Sequence, residues 1–229
     1  MPKQVDHAAR RAEIAQAALR LCARDGLAGV SIGQVAQEAG ISKGLVQHYF
    51  AGKSDLLRAS AHVLREEVER HMREAVRGAR DPLDTLRRVL LAIVGLGESA
   101  PVLLLAGHAF LTLSAADPDV RELYRTGGDA THRAIVALVS AARPGPGLDP
   151  EAEAHALLGL ARGLADAVLV GEVGTADAAS VLDYHLDRIR SSAATGPGHG
   201  SATGPAIGSA TGSATGSEPE RVSAPDLPA

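Results

Sequence analysis

A chain of 229 residues, 45% of them hydrophobic, suits one large or two small domains and can bury a core. Ala, Leu and Val supply most of the apolar content, and no apolar run reaches the roughly 20 residues of a membrane helix, so an all-α protein outside the membrane is expected. The net charge of −4 hides a basic head: residues 1–53 carry seven Lys/Arg against four Asp/Glu, residues 54–229 sixteen against twenty-three, which points to an anionic partner for the head alone.

The opening "MPKQVDHAARRAE" has no apolar stretch of signal-peptide type, and the single cysteine, Cys22, excludes an intrachain disulfide; both fit a reducing cytoplasm. Cys22 shares a helical face with Ile14, Ala18 and Leu21, which predicts a first helix over residues 9–25 and makes the thiol a packing group. Asp25-Gly26 ends that helix. Ser31 with Gln34 forms a capping box, and Val30 with Val35 a hydrophobic staple, so a short second helix starts here and runs to Gly40. Ser42 caps a third helix, Lys43–Phe50, and Gly52 breaks it. Ser54 is the predicted cap of a long fourth helix, with Asp55 in its first turn, the stripe Leu57, Ala61, Leu64, Val68 and Ala75, and a stop at Asp81-Pro82.

Breakers place helices five to nine at about 83–95, 102–114, 119–142, 151–171 and 176–190, with Gly127-Gly128 expected to weaken or bend the seventh. From Ser191 onward "SATG" repeats and Gly, Ser, Ala, Thr and Pro dominate, a composition that cannot offset its ordering entropy, so disorder is expected there. The predicted organisation is a three-helix head at 1–53, a six-helix body at 54–190 and a tail at 191–229.

Two short helices joined by a Gly-containing turn, "VAQEAGISKGLV", make a helix-turn-helix, whose second helix enters the major groove of double-stranded DNA. Gly44 allows close approach to base edges, and Lys43 beside it can donate to guanine O6 and N7. Ser42, Gln47, His48 and Tyr49 offer further donors, and Lys53 beyond the glycine turn can reach the flanking backbone. Phe50 reads as core.

Residues 9–58 resemble the DNA-binding head of the TetR family of bacterial repressors. The carriers are the Ala-rich first helix ending in Asp25-Gly26, "VSIGQVAQEAGIS", "KGLVQHYF" and the "GKSDLL" entry to the fourth helix. "SKGLVQHYF" is most similar to the betaine-type subgroup, with Tyr49 where that subgroup usually has a phosphate-contacting His. The resemblance implies that Lys43 and Gly44 face bases, and that Ser31, Ser42, Gln47, His48, Tyr49 and Lys53 face phosphates. It also implies a homodimer on a palindromic operator, paired through helices 151–171 and 176–190, and a small-molecule effector held between body helices.

Helix eight offers Leu157, Leu160, Ala161, Leu164 and Val168 for such pairing, and helix nine Ala178, Val181, Leu182, His185 and Ile189; the same stripes could instead pack within one chain. Polar residues in apolar surroundings are the effector-pocket candidates: His108, Thr112, Tyr124, Thr131, Arg162 and Asp166, the last two also able to pair at i,i+4. With only Phe110, Tyr124 and Tyr184 in the body, an aromatic cage for a quaternary ammonium ligand is not expected, and an aliphatic ligand fits better. Helix four, which joins head to body without a flexible linker, is the expected lever of a population shift.

His62/Glu66 and Glu67/His71 on helix four read as solvated pairs, since no His-Glu-x-x-His pattern occurs, and Ser99 in "GLGESAP" lacks a nucleophile elbow's strand-turn-helix setting. No enzyme activity, cofactor or metal is expected. Two rival readings remain at this level: a helical dimer that binds ligand or protein but not DNA, and a transcriptional activator of the same fold.

Overall fold

The computed structural model describes residues 2–96, 100–143 and 147–191. Ser99 and the tail beyond Ser191 lie outside the described residues. Nine α-helices and one short 3-10 turn make up the regular structure there, with no strand. They are α1 (Pro2–Asp25), α2 (Ile32–Glu38), α3 (Lys43–Tyr49), α4 (Lys53–Ala75), α5 (Pro82–Val94), α6 (Ala100–Ser114), α7 (Pro118–Ala142), α8 (Pro150–Leu169) and α9 (Thr175–Ser191); the 3-10 turn is Leu27–Gly29.

The head is closed by local chemistry. Ser31 accepts from the Gln34 backbone N–H at 3.3 Å and donates to Gln34 Oε1 at 2.6 Å, so the side chains pair directly instead of closing the reciprocal box. Val30 and Val35 are both buried, as a staple requires. At the end of α2 the Ile41 N–H donates to the Ala36 carbonyl and the Gly40 N–H to that of Gln37. This Schellman turn needs a residue at positive φ, and Gly40 has φ 65°. Ser42 then caps α3, accepting from the Leu45 N–H at 3.1 Å.

One predicted cap is corrected. Helix α4 begins at Lys53 with Gly52 as its N-cap and no side-chain cap bond, so Ser54 does not fill that role. Asp55 takes over: its carboxylate accepts the Ala51 N–H at 3.1 Å and pairs with Arg11 of α1 at 2.7 Å. An acid in the first turn can reach back to the preceding N–H and meet the helix dipole as well. The helix also stops at Ala75, ahead of Asp81, which instead caps α5 by accepting the Asp84 N–H at 2.8 Å.

Two cores result. The first gathers Ile14, Ala18, Leu21 and Cys22 of α1, Val35, Val46 and Phe50 of the head, Leu56, Ala61 and Leu64 of α4, and Ala106 and Phe110 of α6. Its packing crosses residue 53 without interruption. Ser60 lies fully buried where α4 meets α1, and its hydroxyl is within reach of both the Ala15 and Leu56 carbonyls, at 3.1 and 2.9 Å. A small side chain lets the helices approach closely, and the hydroxyl is satisfied. Burial pushes the Cys22 thiol up to about 11, which keeps it an uncharged packing group.

The second core joins α5, α7, α8 and α9 through Leu86, Leu90, Ile135, Val139, Leu157, Ala161, Leu182 and Ile189. Arg87 of α5 and Asp183 of α9 tie its edge with two contacts of 2.5 and 2.8 Å. Of the stripes offered for pairing between chains, Leu157 and Ala161 of α8 and Ala178, Leu182 and Ile189 of α9 are buried inside this core. An amphipathic stripe says that a face is buried, not against what.

Helix α7 runs unbroken through Gly127-Gly128. A Cβ on Gly127 would lie 2.4 Å from Nη1 of Arg65, whose guanidinium reaches over α7 to the Leu123 carbonyl at 3.3 Å. Gly128 faces open space. Gly128→Ala is therefore expected to stabilise the protein by roughly 0.5–1 kcal/mol in a urea titration. Gly127→Ala, which must displace Arg65, should gain less.

Candidate nucleic-acid interface and effector region

Helix α3 has two sharply different faces. Val46, with Phe50 just after it, is buried in the first core, while Lys43, Gly44, Gln47 and His48 are exposed together. Packing of one face fixes what the other presents. Lys43 makes no hydrogen bond or ion pair with the described residues, whereas Arg10, Arg20 and Arg24 of α1 are paired with Glu13, Glu38 and Asp25. A Cβ on Gly44 would meet nothing within 4 Å, so packing within the chain does not require glycine there.

Other sequence-predicted contacts have partners inside the chain. Ser31 and Ser42 are exposed, but their hydroxyls cap α2 and α3. Lys53 Nζ donates to the Leu27 carbonyl at 2.8 Å, bracing the 3-10 turn against the start of α4. Tyr49 is half-buried and packs against His7 at a tilt, with ring centroids 4.4 Å apart, while His48 meets Tyr49 edge-on at 5.3 Å.

Three residues not singled out in the sequence join this region. His7 projects from α1 beside His48 and Tyr49. Arg11 donates to the Tyr49 carbonyl, pairs with Asp55, and lies over the Phe50 ring at 4.2 Å, so one guanidinium fastens the end of α3 and the start of α4 to α1. Leu45 is a large apolar side chain left 36% exposed on α3, suited to a thymine methyl. Its place beside Val46, where adjacent helical residues point to different faces, was the available signal; Arg11 and His7 lie some forty residues from their partners and gave none.

In the body, His108 of α6 and Asp166 of α8 are joined by a 2.7 Å hydrogen bond through Nε2, while Nδ1 of His108 sits 2.8 Å from the Leu104 carbonyl. Asp166 therefore pairs across helices, and no i,i+4 pair with Arg162 forms. The Tyr124 hydroxyl donates to the Gly107 carbonyl at 2.6 Å, pinning α7 to α6 next to His108, and burial raises its pKa. Thr112 and Thr131 donate to carbonyls of their own helices, those of His108 and Gly127. The candidates thus separate: His108, Thr112, Tyr124 and Asp166 share one region, Arg162 is exposed one turn from Asp166, and Thr131 lies elsewhere on α7. Two shallow surface concavities border head residues such as Arg10, Glu13 and Glu38, and none of these six lines either.

The Leu104 carbonyl, and then the Asp166 carboxylate, hold the His108 pKa above its ordinary 6.5, against the opposing effect of burial. A raised folded-state pKa stabilises the fold below the unfolded value and loses that stabilisation as pH rises through the folded one. The melting temperature is expected to fall as pH rises from the ordinary 6.5 through the raised folded-state value, and the fall should be smaller in Asp166→Asn. Equal slopes in the two proteins would show that the pair does not titrate with folding.

Residues 14–60 match the family described as bacterial regulatory proteins, tetR family, and residues 82–191 match the C-terminal region of BetI-type transcriptional repressors. The HTH-type transcriptional regulator BetI of Burkholderia cenocepacia is 31% identical over 193 residues, covering 84% of this chain and all of that relative. The chain belongs to the tetR family. It is accordingly a DNA-binding transcriptional regulator. The HTH-type transcriptional regulator PksA of Bacillus subtilis is 34% identical over 98 residues, 43% of this chain and 48% of its own. Among solved structures, a transcriptional regulator from Rhodococcus sp. Rha1 aligns with a TM-score of 0.69 at 26% identity over 78% of this chain and 95% of that one. A regulator from Saccharomonospora viridis, solved in complex with choline, aligns with a TM-score of 0.67 at 25% identity over 80% and 97%. For this tetR-family chain no helix among the described residues is long and apolar enough to cross a membrane.

Proposed function

We propose that this chain is a cytoplasmic repressor that binds a palindromic operator as a homodimer and is released by a small, largely aliphatic ligand, acting through binding alone and not as an enzyme. The observation that carries the reading is the outer face of α3: a Lys43 with no partner among the described residues, an unobstructed Gly44, and exposed Leu45, Gln47 and His48 on one short, rigidly seated helix. Residues 1–53 serve as the reading head and 54–190 as the effector and dimerisation body. Ser31, Ser42 and Lys53 contribute to phosphate contact only as far as their bonds within the chain allow, so Gln47, His48 and Tyr49 carry more of it, while Lys43 and Gly44 face bases.

The dimer reading rests on the outward faces of α8 and α9. Ala156, Gly159 and Gly163 are exposed on α8, and Val181 and Tyr184 are 41% and 66% exposed on α9. Small residues on one helix admit close approach by another, and the two apolar side chains supply area to bury. A two-fold pair places two α3 helices on successive major-groove turns.

The effector reading centres on α6. One face of this helix, Ala106 and Phe110, packs in the core that holds α1, while His108 is held to α8 by Asp166. A ligand that separates α6 from α8 would shift the head through α1 and α4, to the extent that it favours one state. Choline is not carried over from the similar structure: Phe110 is buried in the first core, the Tyr124 hydroxyl is bonded to Gly107, and Tyr184 is exposed on α9, so these rings form no cage together.

A DNase footprint of the purified protein on the DNA flanking its own gene tests this reading. Protection of an inverted repeat, relieved by an aliphatic ligand, is the expected result. An unprotected flank at low salt, with folded protein, counts against it.

A further inference from the structure

We propose that His132, Glu151 and His155 form a binding site for a divalent transition cation of the Zn²⁺ class, which clips α7 to α8. His132 lies on α7, while Glu151 and His155 lie one turn apart at the start of α8. His132 Nε2 is 2.9 Å from His155 Nδ1 and 3.6 Å from the nearer Glu151 oxygen, and all three ligand atoms fall within 4.8 Å of one another.

These spacings suit a shared ion. Zinc–nitrogen bonds of about 2.0–2.1 Å at tetrahedral angles place neighbouring ligand atoms about 3.3 Å apart, a value bracketed by the two observed distances. Two imidazoles and a carboxylate are also a zinc donor set, with water free to take the fourth position. Without a cation, two ring nitrogens at 2.9 Å must share one proton.

The surroundings favour retention of the three ligands. His132 is only 18% exposed, which holds its ring in place, whereas Glu151 is 67% exposed and can adjust to the ion. Asp149 accepts the Glu151 N–H at 3.0 Å and so anchors the turn that carries the carboxylate. Nδ1 of His155 also lies 3.0 Å from the Glu151 carbonyl, a hydrogen bond that coordination replaces, with the ring proton moved to Nε2. The ring is exposed, and Nε2–H can face water. Sequence reading missed the cluster because His132 and His155 are 23 residues apart on different helices.

The test uses the full chain without an affinity tag, stripped with a chelator and titrated with Zn²⁺ and Co²⁺. One equivalent is expected to bind, with a tetrahedral Co²⁺ absorption spectrum and a raised melting temperature. Glu151→Gln and His132→Gln should each weaken binding about tenfold or more. His62→Gln on α4 should leave it unchanged. Glu151 is largely exposed, so its variant folds normally and keeps the test interpretable if His132→Gln does not. Absence of binding by the wild type, or equal binding by Glu151→Gln and wild type, would overturn the site.

Discussion

Replacing Phe50 by Ala is expected to destabilise the whole described fold by about 3–5 kcal/mol. The ring is 2% exposed and sits where α1, α3 and α4 converge, beneath the Arg11 guanidinium at 4.2 Å. Removing it deletes the largest side chain of the head's core and leaves a cavity that short helices held by caps and a Schellman turn cannot close. It also takes the apolar face from Arg11, which then holds α3 to α1 through the Tyr49 carbonyl and α4 to α1 through Asp55. The first core continues into α4 and α6 through Leu56, Leu64, Ala106 and Phe110, so the damage does not stop at the head. A domain of this kind has only about 5–15 kcal/mol to lose. Urea unfolding followed by circular dichroism measures the loss. Phe50→Leu, which keeps most of the volume, should cost clearly less than Phe50→Ala. A loss below about 1 kcal/mol for the alanine variant would mean that the head packs differently.

Lys43→Ala is expected to do the opposite: leave stability unchanged within about 0.5 kcal/mol and weaken operator binding by about 1–3 kcal/mol. The side chain is exposed and makes no described bond within the chain, so the folded state loses nothing. On DNA it would be desolvated against a base edge, where a good contact discriminates by that amount. Affinity should fall roughly 5- to 150-fold, with relaxed preference at one base pair per half-site. Gly44→Ala is the companion test. Its Cβ meets nothing in the chain, so the helix should gain roughly 0.5–1 kcal/mol while DNA binding falls. Fluorescence anisotropy on the footprinted operator, beside thermal melts, separates the two effects. Unchanged affinity in both variants would remove the outer face of α3 from the DNA interface.

The head was legible in the sequence because its determinants are local. Ser31 and Ser42 announce helix starts, Gly40 announces a turn that needs positive φ, and Val30, Val35 and Phe50 sit at the spacing their burial requires. A cap or a turn involves residues within about five positions, and side-chain chemistry at that range has few alternatives. Even there Ser54 misled, because Asp55, two residues into α4, could both reach back to the Ala51 N–H and meet Arg11 from α1.

What only the tertiary structure decided involves groups far apart in the chain. The periodicity of α8 and α9 was visible, but whether their stripes face inward or toward a second chain depends on α5 and α7 packing against them. Asp166 had a plausible partner four residues away in Arg162 and instead bonds His108, 58 positions earlier. Lys53 reads as a free cation until the Leu27 carbonyl is folded against it. His132, Glu151 and His155 become a cluster only when α7 lies beside α8. Periodicity and propensity encode which side of a helix avoids water; the choice of partner depends on how all the helices fill space together, and no single segment carries that information.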